Sequence, residues 1–135
     1  MELKARALQE SDREILCSWW KWWRWPEVSK DLLPANGLGG LMICKDDVPV
    51  VAGFLYLTNS KVAILDWIIS SPEYKENDRS LAIKLLIDSC EELAKMNGYN
   101  IIFTFTRNKS LMNIHEELGY VIDPKPSYEI TKKIK

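Results

Sequence analysis

The sequence is poor in the residues from which many sites are built. It has one histidine and three cysteines in 135 residues. Cys17, Cys44 and Cys90 lie far apart, without a CxxC pair or a metal-ligand spacing, which argues against a zinc site or a dithiol redox centre. An odd set of scattered thiols reads as reduced cysteines in a reducing compartment. No apolar run is long enough to span a bilayer and no signal-peptide pattern is visible, so the cytoplasm is the expected compartment. Charge of one sign is lacking too. The formal net charge is -1 with histidine neutral, so there is no general basic field to favour nucleic acid or an anionic membrane. Glycine is also missing where it is often wanted: the polar stretch KENDRSLA over 75–82 contains none.

What is present reads as one mixed α/β domain over 1–135, without repeat, low-complexity tract or linker. Glu2–Leu8 alternates like a strand, with Leu3, Ala5 and Ala7 on one side. Ser11 and Glu14 form a capping-box signature for a helix that runs into the tryptophan-rich run and stops before Pro26. Residues 26–40, with two prolines and three glycines, predict a loop holding at most a short helix at 29–33. Leu41–Cys44, Val50–Thr58 and Val62–Ser70 read as an antiparallel meander. Ser80–Asn97 has a broad apolar face from Ala82, Leu86, Cys90, Leu93 and Ala94, closed by Gly98. Ile101–Thr106 is a further strand, and Asn108 is placed to cap a helix over 109–118, closed by Gly119. Tyr120–Ile122 and Ser127–Ile134 predict a final strand pair.

The loop over 71–82 leads from a strand into a helix. Such a helix start presents unpaired N–H groups and the positive end of the helix dipole, which together attract anions. Glycine eases close approach but the donors do not require it, and Ser80 and Ala82 are small. Arg79 would add charge-assisted bonds to a phosphate. The plainer reading is a surface connection in which Asp78 or Ser80 caps the helix and nothing binds.

The element order, β-α-β-β-β-α-β-α-β-β, resembles that of the GCN5-related N-acetyltransferase (GNAT) superfamily over nearly the whole chain. Local features resemble it as well. WIISSPEY is similar to the family's fourth strand and its exit. Asn77-Asp78-Arg79-Ser80-Leu81-Ala82 falls on the Gln/Arg-x-x-Gly-x-Gly/Ala loop, with Ser80 in place of the first glycine. Asn108 with HEELGY at 115–120 resembles the Asn…Tyr-x-x-x-Gly-Phe ending, with His115 at the usual tyrosine. The small size and tryptophan-rich first helix look closest to compact bacteriophage-encoded members, which would place the protein in a host cytoplasm.

The resemblance implies an α+β fold, with a mixed, mostly antiparallel sheet of about six to seven strands and about three to four helices. It implies acetyl-CoA as cofactor, bound where the fourth and fifth strands splay. By position, the backbone of Ile68, Ile69 and Ser70 would pair with the pantetheine amides. The N–H groups from Asn77 to Ala82 would hold the pyrophosphate, and Asn108 would contact the cofactor. The acceptor would be a primary amine on a small molecule or peptide.

Three features carry candidate chemistry. His115 shares a helical face with Leu111 and Leu118. It is either a partly buried structural histidine or, at the family's tyrosine position, the general acid. Asp66 lies in an apolar strand and is either an edge charge or a general base whose pKa burial would raise. In WWKWWRW, the rings are core and ordinary surface, a homodimer patch, or an aromatic wall of Trp22, Trp23 and Trp25 that receives the acceptor, with Tyr56 nearby. Two other functions stay open: a GNAT-fold binding protein without catalysis, and a small nucleic-acid-binding module using the Lys/Trp/Arg run.

Overall fold

The computed structural model describes residues 2–134. The elements are β1 (Leu3–Ala7), α1 (Asp12–Trp22), β2 (Gly40–Lys45), β3 (Val48–Leu57), β4 (Val62–Ser70), α2 (Arg79–Met96), β5 (Ile101–Thr104) and α3 (Lys109–Glu117), with two short 3-10 turns between α1 and β2. One five-stranded sheet has the order β1-β2-β3-β4-β5. The first four strands are antiparallel and β4–β5 is parallel.

The meander follows from local chemistry. Asp46 and Asp47 both have positive φ, 50° and 68°, the left-handed pair that suits a tight hairpin between twisted strands. β3 is buried continuously from Val50 to Leu55 because both of its faces are covered. On one face Leu16, Trp19 and Trp20 of α1 pack with Met42, Ala52, Phe54 and Ile69. On the other, Ala82, Leu86, Ile87, Cys90 and Ala94 of α2 pack with Val51, Leu55 and Leu65. The predicted apolar face of α2 is therefore the buried one, with Leu93 at its margin. Asn108 accepts the Leu111 N–H at 2.9 Å, as a helix cap does. Among the described residues no helix is long and apolar enough to cross a membrane.

Three expectations need correction. The capping box is absent: Ser11 has helical φ and ψ and makes no side-chain bond. Asp12 fastens the helix start instead. It is 2% exposed, accepts the Gln9 N–H at 2.8 Å and is held bidentately by Arg6 at 2.8 and 2.9 Å. In β1, the alternation does not bury Ala5 and Ala7, because this is an edge strand and Arg6 turns inward to meet Asp12. The last strand pair does not form, so the sheet has five strands rather than six or seven. Every residue from Asp123 to Ile134 is exposed. Pro124 and Pro126 remove two ladder donors from this short tail, and no core face pulls it down.

Candidate functional site

The site begins with an irregularity in β4. Ala52 pairs with Ile69 and Phe54 with Asp66, so Gly53 alone faces both Trp67 and Ile68. Two residues against one is a β-bulge, which bends the strand. Trp67 has φ 59°, a conformation uncommon for a bulky side chain. A Cβ on Gly53 would stand 3.1 Å from Leu86 and 3.2 Å from Leu65, so the bulge is packed tightly on α2. Parallel pairing with β5 ends at Leu65–Thr104. Beyond it, Asp66–Ser70 runs on with one ladder side free, and the sheet opens.

Ser71 N–H donates to Val50 O at 2.7 Å. Backbone direction alternates along a strand, so Ser70 and Ile68 aim their groups into the opening and Ile69 aims at β3. One of these groups is already used: Trp23 Nε1–H donates to Ser70 O at 2.9 Å.

The loop after β4 is braced by side chains where other loops use glycine. Arg79 donates to Tyr74 O at 2.5 Å and Ser71 O at 3.2 Å. Its Nη2 therefore holds the loop, and no described hydrogen bond uses Nη1 or Nε. The Asp78 carboxylate accepts from Tyr74 Oη and, at 2.9 Å, from Lys45 Nζ. These two bonds hold its pKa below the usual carboxylate range. Asp78 is the N-cap of α2 by position but caps nothing with its side chain. Among the described hydrogen bonds none uses the N–H of Arg79, Ser80 or Leu81, and Ser80 and Leu81 are exposed. Ala82 is not a donor in this set, since its N–H closes the first helical turn on Asp78 O at 3.0 Å. A groove of about 420 Å³ adjoins this helix start, lined by Trp22, Trp23, Pro72, Lys75, Glu76 and Arg79.

The second cluster lies on the α1 face of the opening. Asp66 Oδ1 accepts the Trp67 N–H at 2.7 Å, and Oδ2 has no partner among the described hydrogen bonds. Burial pushes the Asp66 carboxyl up, the Trp67 bond opposes this, and Glu129 raises it further. Tyr56 Oη donates to Leu32 O at 2.7 Å and accepts from Trp67 Nε1 at 2.6 Å. Its pKa is raised by burial first and also by the charge of Asp66. Trp25 stands 6.4 Å from Trp67, ring to ring.

The tryptophan run is thus divided. α1 ends at Trp22, and Arg24 takes a left-handed φ of 65°, which redirects the chain. Trp22 and Trp23, in edge contact at 4.8 Å, sit by the loop and α2, whereas Trp25 joins Tyr56 and Trp67. His115 is 2% exposed, with Nδ1 2.9 Å from Leu111 O and its ring edge-on to Tyr120 at 4.9 Å. Its Nε2 is buried without a partner. Among the described residues no hydrogen bond or ion pair joins His115 to Asp66 or Ser70. The Asn108 side chain is occupied as the α3 cap.

Trp67, Gly53 and Lys45 were not singled out from the sequence. A lone glycine inside a strand pattern is a bulge signal and would have pointed to Gly53. Nothing in the sequence marks Lys45. Among the described residues no group of His, Cys, Asp and Glu could hold a metal ion.

No family model and no curated protein matches this sequence. Solved structures do match in shape. An acetyltransferase from Trypanosoma brucei superposes with a TM-score of 0.70 at 16% identity, covering 96% of this chain and 100% of the other. The PaiA N-acetyltransferase from Thermoplasma acidophilum, in complex with coenzyme A, gives 0.70 at 17% identity, covering 93% and 94%. The aminoglycoside N-acetyltransferase AAC(6')-Iy, bound to a bisubstrate analogue, gives 0.71 at 16% identity, covering 98% and 100%. The chain has the fold of the GNAT acetyltransferases.

Proposed function

We propose that this protein is an acetyl-CoA-dependent N-acetyltransferase acting on a primary amine by direct transfer. One observation carries the reading: the opening of β4 at the Trp67 bulge lies beside a helix start with three N–H groups that have no partner among the described residues. An extended ligand with amide groups would pair with the Ile68 backbone and, once the Trp23 indole is displaced, with the Ser70 carbonyl. Its pyrophosphate would lie on the N–H groups of Arg79, Ser80 and Leu81, with the Asn77 and Asp78 backbone at the margin. The donors fit such a group through backbone atoms, and the exposed Lys75 ammonium lines the adjoining groove.

Bound acetyl-CoA would supply the activated thioester. Asp66, raised toward a useful range by burial, takes a proton from the acceptor ammonium, leaving a neutral amine. The N–C bond would then form as the C–S bond breaks, with the second amine proton released to solvent. The free strand N–H groups supply donors for the developing oxyanion. The departing thiolate would receive a proton, a role assigned to His115 by position; its Nε2 is buried, so the ring has to turn out of its present packing to deliver one. Because Leu111 O only accepts, Nδ1 carries a proton, so donation from Nε2 calls for the doubly protonated ring.

Thermal unfolding with and without acetyl-CoA tests the reading. Saturation at one hundred times Kd should add about 2.7 kcal/mol of stability. Absence of any shift at millimolar acetyl-CoA would sink the enzyme assignment and leave a GNAT-fold protein of another role.

A further inference from the structure

The opening has a second occupant to accommodate, and the side chains on its α1 face say what kind. Paired residues share a face of a sheet. Tyr56 opposes Ile64 and Ile64 opposes Phe103, while one row on Phe54 opposes Asp66. Phe105, two residues past Phe103, continues that face beyond the end of the β4–β5 pairing. The two phenylalanine rings lie edge-to-face at 6.5 Å. α1 covers Phe54 but not this side of β5, so Phe103 and Phe105 are 50% and 61% exposed.

Among the strand residues of this face Asp66 is the single carboxylate; the one other acid shown to act on it is Glu129, on the exposed tail and in water. Each ammonium brought onto this face needs an acid to offset its desolvation. A polyamine or an aminoglycoside would leave most of its charges unmatched. A single ammonium at Asp66 Oδ2, with an apolar body across Phe103 and Phe105, matches both charge and surface.

We infer that the acceptor is a small monoamine bearing an aromatic or aliphatic arm, held by Asp66 at its ammonium and by Phe103 and Phe105 at its body. This rests on the acetyl-transfer reading for its chemistry, though the binding itself does not need the cofactor. Asp66 is a catalytic residue in this scheme, and the two phenylalanines determine specificity.

The test uses the intact protein without cofactor, titrated with phenethylamine, methylamine and spermine and read by tryptophan fluorescence and calorimetry. Phenethylamine should bind about tenfold tighter than methylamine, and more tightly than spermine. Phe103→Ala and Phe105→Ala, at exposed positions that leave the fold intact by circular dichroism, should each bring phenethylamine close to the methylamine level. Asp66→Asn should weaken all three amines. Tighter binding of spermine, no binding of phenethylamine at millimolar concentration, or unchanged affinity in both phenylalanine variants would overturn the inference. Stabilisation by acetyl-CoA is scored separately, so loss of the transfer reading and loss of the acceptor class give different results.

Discussion

Trp23 offers the sharpest handle on the proposed cofactor cleft. Its indole N–H occupies the Ser70 carbonyl at 2.9 Å, the acceptor that an extended ligand along β4 would need. Such a ligand has to displace this bond before it can form its own. A hydrogen bond of this kind is worth about 0.5–1.5 kcal/mol net. Trp23→Phe removes the donor and keeps a ring in place, so the competing term disappears. At about 1.4 kcal/mol per factor of ten, acetyl-CoA should bind roughly two- to twelvefold more tightly to the variant. Water will hydrate the exposed carbonyl in the variant and hold the gain toward the lower end, since Trp23 is itself 38% exposed. Trp22→Phe is the control, because Trp22 touches Trp23 but donates no described hydrogen bond to β4. Calorimetric Kd values for wild type and both variants decide the matter. Equal or weaker binding by Trp23→Phe would refute the idea that Ser70 O belongs to the ligand path.

Other outcomes follow from the same geometry. Asp12→Asn should cost about 2 kcal/mol in urea unfolding; breaking a buried pair costs about 3–5 kcal/mol, reduced here because the Arg6 side chain is 33% exposed and can rehydrate. Arg6 and the Gln9 N–H overcome desolvation and hold the Asp12 pKa down. The contribution is therefore present above an ordinary carboxylate pKa near 4 and lost as pH falls through the depressed value. Wild type and variant should converge in stability on the acid side. Asp66→Asn should lower kcat by about 10²–10⁴-fold while leaving stabilisation by acetyl-CoA intact. In wild type the rate should fall on acidification at a pH above the usual carboxylate range, because burial raises this group. Asn108→Ala should cost about 1 kcal/mol, seen as a lower urea midpoint, through loss of the α3 cap.

How much of this could be read without coordinates depended on the range of the forces involved. Period, turn chemistry and caps act over a few residues, so β4, α2, the Asp46–Asp47 hairpin and the Asn108 cap were legible directly. The order of these elements was enough to reach the fold. It also led to the loop 77–82 and to Asp66 as the acid in an apolar strand. Where local signals misled, a longer-range partner had won. Ser11 carries the capping signature, but Arg6 lies in reach of Asp12 and the bidentate pair replaces it. The tail has strand-like alternation, but two prolines and the lack of a covering face leave it unpaired.

The site itself was decided by tertiary structure. No local pattern says that Gly53 lies against Leu86, that Trp67 takes a left-handed turn, or that Trp23 reaches Ser70 across 47 residues. Helix termination at Trp22 separates rings that are adjacent in sequence, sending two to the loop and one to Trp67. In the same way the missing glycines of 75–82 acquire a reason. Arg79, Tyr74, Asp78 and Lys45 hold the loop by side-chain bonds, and only the chain's path brings Lys45 to it from β2. Sequence determined which segments fold and in what order; packing determined which of their polar groups remain unpaired, and those are the groups open to a ligand.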